Sequence, residues 1–292
     1  MKKFFSCAII AIFTGCGLFA QDVKLGFRGG LNLPNIMAGG KNTPLSEGYS
    51  SRLATGWGLF TELQLNQTLS FRFGAEYSGM GGKKDGMQAM PTNRLITELG
   101  TALGLGMTPE QQLILGGLKQ WSDEMPYYYS DIKNTVKFDY VVIPILLQAG
   151  RNIGTSPWRA YINAGPFASF LLSGKQVSKG TSKMYADPSG TNTLWDIIPN
   201  EYKFAVTAIF PDIEKTLNEP VVYGNTNVTG EMKSANIGIN GNIGIRFQSK
   251  RNYIFLEAGG NYGFRTVQDD STAGSNRIGA ASVMAGYAFS LF

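Results

Sequence analysis

The chain has 292 residues, a formal net charge of +5, no histidine, and only 16% charged residues. That charged share is below the roughly 25% usual for soluble domains. The basic residues form no run, which excludes a nucleic-acid partner bound through a basic patch. The absence of histidine removes the usual general base of catalysis.

The first 20 residues have the pattern of a secretory signal peptide. Lys2 and Lys3 precede the apolar residues 4–19, and Ala20 supplies a small residue before a cleavage site. We therefore predict that residues 1–20 are a signal peptide and that residues 21–292 form one domain.

Cys16 offers a competing interpretation of the same segment, because "FTGC" resembles the end of a lipoprotein signal. Phe13 is a poor match to the leucine usual there, so we favour simple cleavage after Ala20. Both cysteines, Cys7 and Cys16, are then lost with the signal. Disulfides, a thiolate nucleophile and cysteine metal sites are excluded in the mature chain.

The mature chain opens with residues that alternate in polarity with a period of two, as a β-strand with one apolar face does. In residues 23–34, Leu25 and Phe27 share one face, and Lys24 and Arg28 share the other. Such a segment is long enough to cross the roughly 25 Å apolar band of an outer membrane when tilted. Seven further segments are predicted as strands: residues 55–65, 69–79, 138–150, 158–172, 237–247, 253–265 and 277–292.

The fourth of these segments contains "VVIPILL", residues 141–147, which is too short for a membrane-crossing helix and is interrupted by Pro144. We assign its odd-numbered residues to the lipid face, and Val142 and Leu146 to the interior. Pro144 removes one ladder hydrogen bond, which we expect a local bulge or irregularity to absorb.

The last segment leaves two alternatives open. Phe292 is the terminal aromatic residue expected of an assembly signal, but Tyr287, Phe289 and Leu291 have the opposite parity. Either a bulge intervenes, or Phe292 lies just past the last strand.

The connections between these segments alternate between short and long. Outer-membrane barrels have short periplasmic turns and long external loops, whereas a soluble sandwich has no reason to sort its loops this way. The sequence therefore predicts an all-β fold, an eight-stranded antiparallel transmembrane up-and-down β-barrel in the outer membrane of a Gram-negative cell. Its apolar faces would contact outer-membrane lipid.

The second long loop carries a helix signal. Thr108, Pro109 and Gln111 have the spacing of a capping box with proline at the first helical position, so we predict short helices at about 93–104 and 109–121.

The third long loop contains "YKFAVTAIF" and "EPVVYG", which we interpret as a hairpin above the membrane.

Aromatic residues near the predicted strand ends are assigned to the interfacial girdles of a barrel. They are Trp57, Tyr77, Tyr140, Trp158, Tyr262 and Tyr287.

Seven charged residues fall on the inward faces. The interior of an eight-stranded barrel is just wide enough for side chains, and buried charges must be paired, so we interpret them as a lumenal ladder of ion pairs. The alternative is a proton or ion path, or a ligand-binding lumen. No catalytic, cofactor or metal site is predicted. The residues of the ladder are Lys24, Arg28, Glu62, Arg72, Glu76, Arg246 and Glu257.

Five phrases of the chain carry a family resemblance that extends over nearly the whole mature chain: "GFRGGLNL", "GWGLFTELQLNQTLSFRFGAEYSGMGGK", "FDYVVIPILLQAG", "YINAGPFASFLL" and "GYAFSLF". They resemble the PorT-like outer-membrane β-barrel family of the Bacteroidetes. Tyr140, Ile143 and Pro144 in strand four, and Gly165–Pro166 in strand five, are the most specific parts. The resemblance implies an eight-stranded barrel, and its founding members are similar to accessory parts of the type IX secretion system.

From these features we expect a non-enzymatic barrel whose external loops, residues 84–136 and 174–235, bind a partner protein or a surface glycan. The alternative is an accessory subunit of a secretion or transport complex, or a narrow conduit. A lipid-active enzyme that works without histidine, through Glu62, Glu76 or Glu257, is a weaker hypothesis.

Overall fold

A computed structural model describes residues 22–38, 44–103, 108–269 and 275–291. The predicted signal peptide, its cleavage after Ala20, the lipidation alternative at Cys16 and the placement of Phe292 lie outside these residues. Eleven strands are formed by the described residues: β1 Asp22–Ala38, β2 Ala54–Gln64, β3 Leu69–Pro91, β4 Tyr127–Asn152, β5 Trp158–Lys179, β6 Thr181–Ser182, β7 Val221–Val222, β8 Asn225–Asn227, β9 Ala235–Ser249, β10 Asn252–Gly263 and β11 Asn276–Ser290.

Eight long antiparallel strands close into a ring. Each long strand pairs with the next long strand along the chain, and β1 pairs with β11, which leaves no open edge. The turns at residues 65–68, 153–157 and 250–251 define a short-turn end of the barrel, and the remaining connections define a long-loop end. The predicted eight-stranded up-and-down barrel is confirmed.

Side chains alternate between the outside and the lumen, as the sequence predicts. Ile243 is 65% exposed on the outer face, while Glu257 is 1% exposed inside. Leu63 departs from this pattern of exposure: its parity in β2 is that of the exposed Leu59, yet it is only 7% exposed, between Val23 and Phe71 on the neighbouring strands.

Strand β4 has the predicted parity, with Val142 and Leu146 buried and Leu147 exposed. No bulge lies at Pro144, but the local irregularity that the sequence also allowed is present, because the pairing of β4 with β3 is interrupted at Ile143 and Pro144. The pairing with β5 keeps one register from Asn152 to Tyr140, and its irregularity lies between Asp139 and Tyr140. The register of β4 on both neighbouring strands is the same on either side of Pro144.

Tyr140 is not part of an aromatic girdle. It is only 2% exposed and packs in the lumen, because even-numbered residues of this part of β4 face inward. Trp57 and Tyr77, by contrast, stack on the outer face with ring centroids 5.8 Å apart, and Trp158 is also exposed there. In β11, Phe289 is exposed on the same face.

The half of the lumen nearer the long loops is filled by an apolar cluster. Two of its members, Val228 and Val267, come from the long loops and not from the barrel strands, so the loops help to close this end. The buried residues of the apolar cluster are Ile36, Met80, Val136, Phe138, Tyr140, Val142, Phe167, Val228, Val267, Ile278 and Ala280.

Beyond the barrel, β3, β4 and β5 continue as a sheet that carries the helices of the long loops. We call residues 84–136 and 174–235 the cap. Its helices are α1 Thr92–Leu103, α2 Pro109–Glu124, α3 Leu194–Ile197, α4 Asn200–Ile209 and α5 Ile213–Asn218, with a 3₁₀ turn at Thr229–Glu231. None of the helices in the described ranges is long and apolar enough to cross a membrane.

The cap has a hydrophobic core of its own, separate from the apolar cluster in the lumen. Leu118 of α2, Leu194 of α3, Val206 of α4 and Leu217 of α5 are all buried in it. The long loops are therefore a folded unit.

The helix prediction for the second loop is confirmed. The Thr108 hydroxyl accepts a hydrogen bond from the Gln111 N–H at 3.3 Å, and the Gln111 side chain accepts one from the Thr108 N–H at 2.9 Å. These two bonds form the expected capping box.

The hairpin prediction for the third loop is wrong. The segment that contains Tyr202 and Val206 is helix α4, because residues three and four apart place these two side chains against the cap core. Only Val221 and Val222 form a strand there, paired with Thr181 and Ser182.

Candidate functional site

Glu257 lies at the centre of the polar half of the lumen. Its carboxylate accepts hydrogen bonds from Arg28 at 2.8 Å, from the Tyr161 hydroxyl at 2.9 Å and from the Asn163 amide at 3.0 Å. It also forms an ion pair with Arg72. Every charge in this group is buried, and each has an opposite charge in contact.

Glu62 forms a second centre, one level closer to the short-turn end. It accepts a hydrogen bond from Arg246 at 2.9 Å and one from the Tyr253 hydroxyl. The Arg72 guanidinium lies 3.5 Å from the same carboxylate. Arg72 therefore links Glu62 to Glu257, and the two centres form one network.

Aromatic rings surround the two inner arginines. The Arg72 guanidinium carbon lies 4.5 Å from the centroid of the Phe60 ring and 5.2 Å from that of Phe255, and the Arg246 carbon lies 4.6 Å from that of Tyr253. At these distances the ring faces attract the cations and also exclude water from them.

Glu76 and Lys24 occupy the margins of the predicted ladder. Glu76 forms an ion pair with Arg28 at 2.7 Å, and its side chain is 12% exposed. Lys24 stands apart from the network. It is buried, but it contacts Asp22 and the Gln64 side chain, the latter at 3.2 Å. The structure thus brings together six of the seven predicted residues.

Sequence reasoning missed several partners of this network. Tyr161, Asn163 and Tyr253 complete it, and Arg159 donates hydrogen bonds to the carbonyls of Gln67 and Thr68, at 2.7 and 3.1 Å, near the short turn. All four lie on the inward parity of strands that the sequence predicts. Strand parity applied to tyrosine and asparagine, as well as to charged residues, would have found them.

The network pairs the buried charges of the lumen and fills the space between the strands. Three arginines, Arg28, Arg72 and Arg246, face three carboxylates, Glu62, Glu76 and Glu257, and each carboxylate contacts an arginine. In the part of the chain that the structure describes, no group of three or more acidic, histidine or cysteine side chains could hold a metal ion.

Two inward glycines beside the ion network have no room for a side chain. A Cβ atom on the inward Gly244 would lie 2.4 Å from the Tyr161 ring, and one on Gly26 would lie 2.3 Å from the Phe60 ring. Glycine fits at both positions because the ring of the directly paired residue on the neighbouring strand lies over it, Tyr161 over Gly244 and Phe60 over Gly26.

Comparisons with solved structures give distant likenesses. Neisserial surface protein A is 9% identical, with 91% of this chain and 96% of that chain covered and a TM-score of 0.35. The attachment invasion locus protein Ail of Yersinia pestis is 10% identical, with 92% and 100% covered and a TM-score of 0.32. The outer membrane protease OmpT of Escherichia coli is 8% identical, with 93% and 97% covered and a TM-score of 0.41.

No match was found among curated protein sequences. Residues 19–269 match the family model described as "Outer membrane protein beta-barrel domain". This match extends over seven of the eight barrel strands, and it agrees with the closed ring and its apolar outer face. The chain therefore belongs to the outer membrane protein beta-barrel domain family, and its place is the outer membrane, in contact with the membrane lipid.

Proposed function

We propose that this barrel is a non-enzymatic membrane anchor that presents the cap to an external partner protein. The observation that carries the proposal is the buried core of the cap, because a loop whose only task is to connect strands has no need of one. Leu118, Leu194 and Val206 are buried in that core, at a distance from the lipid-facing strands.

Exposed apolar residues on the cap favour a protein as the partner. Phe204 on α4 is 83% exposed, and Leu113 on α2 and Val222 on β7 are exposed to a similar extent. Large apolar side chains are enriched in the centres of protein interfaces. A glycan partner would be recognised mainly by polar groups, so it is the second outcome of the test below.

The lumen supports an anchor more than a conduit or an enzyme. The ion network and the apolar cluster fill it at two levels, and an eight-stranded barrel has room for little else. Glu62 and Glu257 are held by arginines and by tyrosine hydroxyls, which leaves neither carboxylate free to act as a base.

The proposal is tested by capture of partners from native membranes. The purified protein carrying Phe204→Ser and Leu113→Ser should lose a partner that the unchanged protein retains. Lys119→Ser, at an exposed position on the same helix as Leu113, is the matched control and should retain it. Retention by both variants, or capture of glycan alone, would contradict a protein partner at this surface.

An accessory role in a secretion or transport complex is the second candidate, and the resemblance to PorT-like barrels favours it. Size analysis of the captured material separates the two, because a subunit would elute with several other membrane proteins. Conductance in planar bilayers tests the conduit hypothesis directly. Stable ion currents through the purified barrel would contradict a lumen that is closed by its side chains.

A further inference from the structure

A cavity of about 350 Å³ lies between the barrel mouth and the cap. Its volume is within the range of small-molecule sites, roughly 300–1,000 Å³. All four long loops contribute to its walls, so it exists only when the cap is folded. Phe138, Val228 and Val267 of the apolar cluster also line it, and they separate the cavity from the ion network below.

The charged groups of the cavity are balanced, and both of its carboxylates are paired with Arg94. Arg94 lies 3.3 Å from the Glu98 carboxylate and 3.6 Å from the Glu231 carboxylate. The Lys84 ammonium donates a hydrogen bond to the Pro44 carbonyl at 3.0 Å. Two cations thus accompany two anions among the cavity's described residues, which leaves no excess charge to attract an ionic ligand.

Uncharged polar groups in the same walls have unused hydrogen-bonding capacity. Asn134 is buried and accepts a bond from Ser178, but its amide nitrogen donates to no described residue, and the Gln176 carbonyl oxygen accepts from none. The Tyr49 hydroxyl likewise has no hydrogen-bond partner among the described residues, and burial raises its pKa. Of these three residues Asn134 is buried, whereas Tyr49 and Gln176 are half-buried. A buried polar group is normally satisfied by protein, water or a ligand.

We propose that this cavity binds a small uncharged amphiphile, with an apolar body against Phe138, Val228 and Val267 and an amide or hydroxyl group that bonds Tyr49, Asn134 or Gln176. The inference rests on the proposed function in one respect, namely that the cap is the binding part of the protein. It extends that function from a protein surface to a small-molecule site.

The test uses the full mature barrel in lipid nanodiscs and the probe N-acetyl-phenylalaninamide, a neutral molecule with an aromatic body and two amides. N-acetyl-phenylalanine, which has the same body and a carboxylate, is the charged comparison. We expect the neutral probe to bind in calorimetry, no more weakly than the anion. Tyr49→Phe and Asn134→Ala should each weaken its binding by roughly threefold to tenfold, the effect of one neutral hydrogen bond.

Tyr202→Phe is the matched control, because Tyr202 packs in the cap core and does not line the cavity. Its affinity for the probe should equal that of the unchanged protein. Binding is located by thiol labelling: the probe should slow the labelling of Thr226→Cys, at the cavity wall, and leave that of Lys119→Cys on α2 unchanged.

Three results would overturn the inference. They are no binding of the neutral probe, binding of the anion alone, and binding that does not respond to Tyr49→Phe or Asn134→Ala. A protein that binds the probe but captures no partner would sink the proposed function and leave this site standing. A protein that captures a partner but does not bind the probe would overturn this inference and leave the proposed function standing.

Discussion

Glu257 receives hydrogen bonds or ion pairs from four side chains and is only 1% exposed. Glu257→Gln removes the negative charge that Arg28 and Arg72 share. Leaving two buried cations short of a partner should destabilise the barrel by roughly 3–5 kcal/mol. Urea unfolding from lipid vesicles measures this loss.

Glu76→Gln is the matched control for that measurement. Glu76 contacts only Arg28 among the described charges, and its side chain is partly exposed, so water can replace part of what it provides. We expect a clearly smaller loss of stability than for Glu257→Gln. Equal losses, or none for Glu257→Gln, would contradict the assignment of Glu257 as the centre of the network.

Asp187, in the cap, stabilises its own loop to an extent that depends on pH. Hydrogen bonds from the Ser189 hydroxyl and from the backbone N–H groups of Asn192, Thr191 and Ser189 lower the pKa of its carboxyl to about 2. Because the folded pKa is below the unfolded value of about 3.9, the contribution is complete above that value and is lost as pH falls toward about 2.

Hydrogen exchange of the Asn192 amide checks this prediction. Its protection should decrease between about pH 4 and pH 2, after correction for the intrinsic exchange rate, and Asp187→Asn should remove that dependence. Protection that is unchanged over this interval in the unchanged protein would show that the carboxylate does not hold the loop.

The sequence predicts the charges of the lumen but not their partners. Parity places Arg72, Glu62 and Glu257 on inward faces, because each lies an even number of residues from other inward positions. It does not say that Arg72 contacts both carboxylates. Which carboxylates Arg72 contacts depends on the stagger of strands that are far apart in sequence. The local pattern of residues does not encode that stagger.

At the scale of strands, the outer face of β9 gives a direct test of lipid contact. Ile243→Arg places a cation on the lipid-facing surface and should cost up to about 2–4 kcal/mol, depending on its depth in the bilayer. Val222→Arg is the control, because Val222 is equally apolar and exposed but lies in the cap. Urea unfolding from vesicles should show a lower free energy of unfolding for Ile243→Arg than for Val222→Arg. Equal stability of the two variants would contradict the assignment of this face of β9 to lipid.

The strands were more predictable than helix α4 of the cap for a physical reason. A lipid-facing strand must be apolar at every second residue, so its pattern is imposed by the membrane. Residues 202–210 experience no such constraint, and their apolar residues fit either period. The contact of Val206 with the cap core decided in favour of a helix, and that core is formed by segments that are distant in sequence.

At the scale of the whole molecule, the side of the membrane on which the cap lies can be measured. Long loops are external in outer-membrane barrels, so Lys119→Cys should react with a membrane-impermeant maleimide on intact cells. Gln67→Cys, in the turn at 65–68, should react only after the outer membrane is disrupted. Both positions are exposed, so accessibility in the folded protein does not distinguish them. The reverse pattern would invert the topology.

The strands β3 and β4 continue from the lipid-facing wall into the cap, where residues 79–91 pair with β4 and, at Lys83 alone among the described residues, with Ser50. This extension is roughly 40 Å long before its tilt is considered. A flexible tether would let a binding domain sweep a volume above the membrane. A hydrogen-bonded ladder instead fixes its height and inclination, so the cap meets only targets that are presented in a narrow layer. Its search for them then depends on lateral diffusion and on rotation of the entire barrel about the membrane normal.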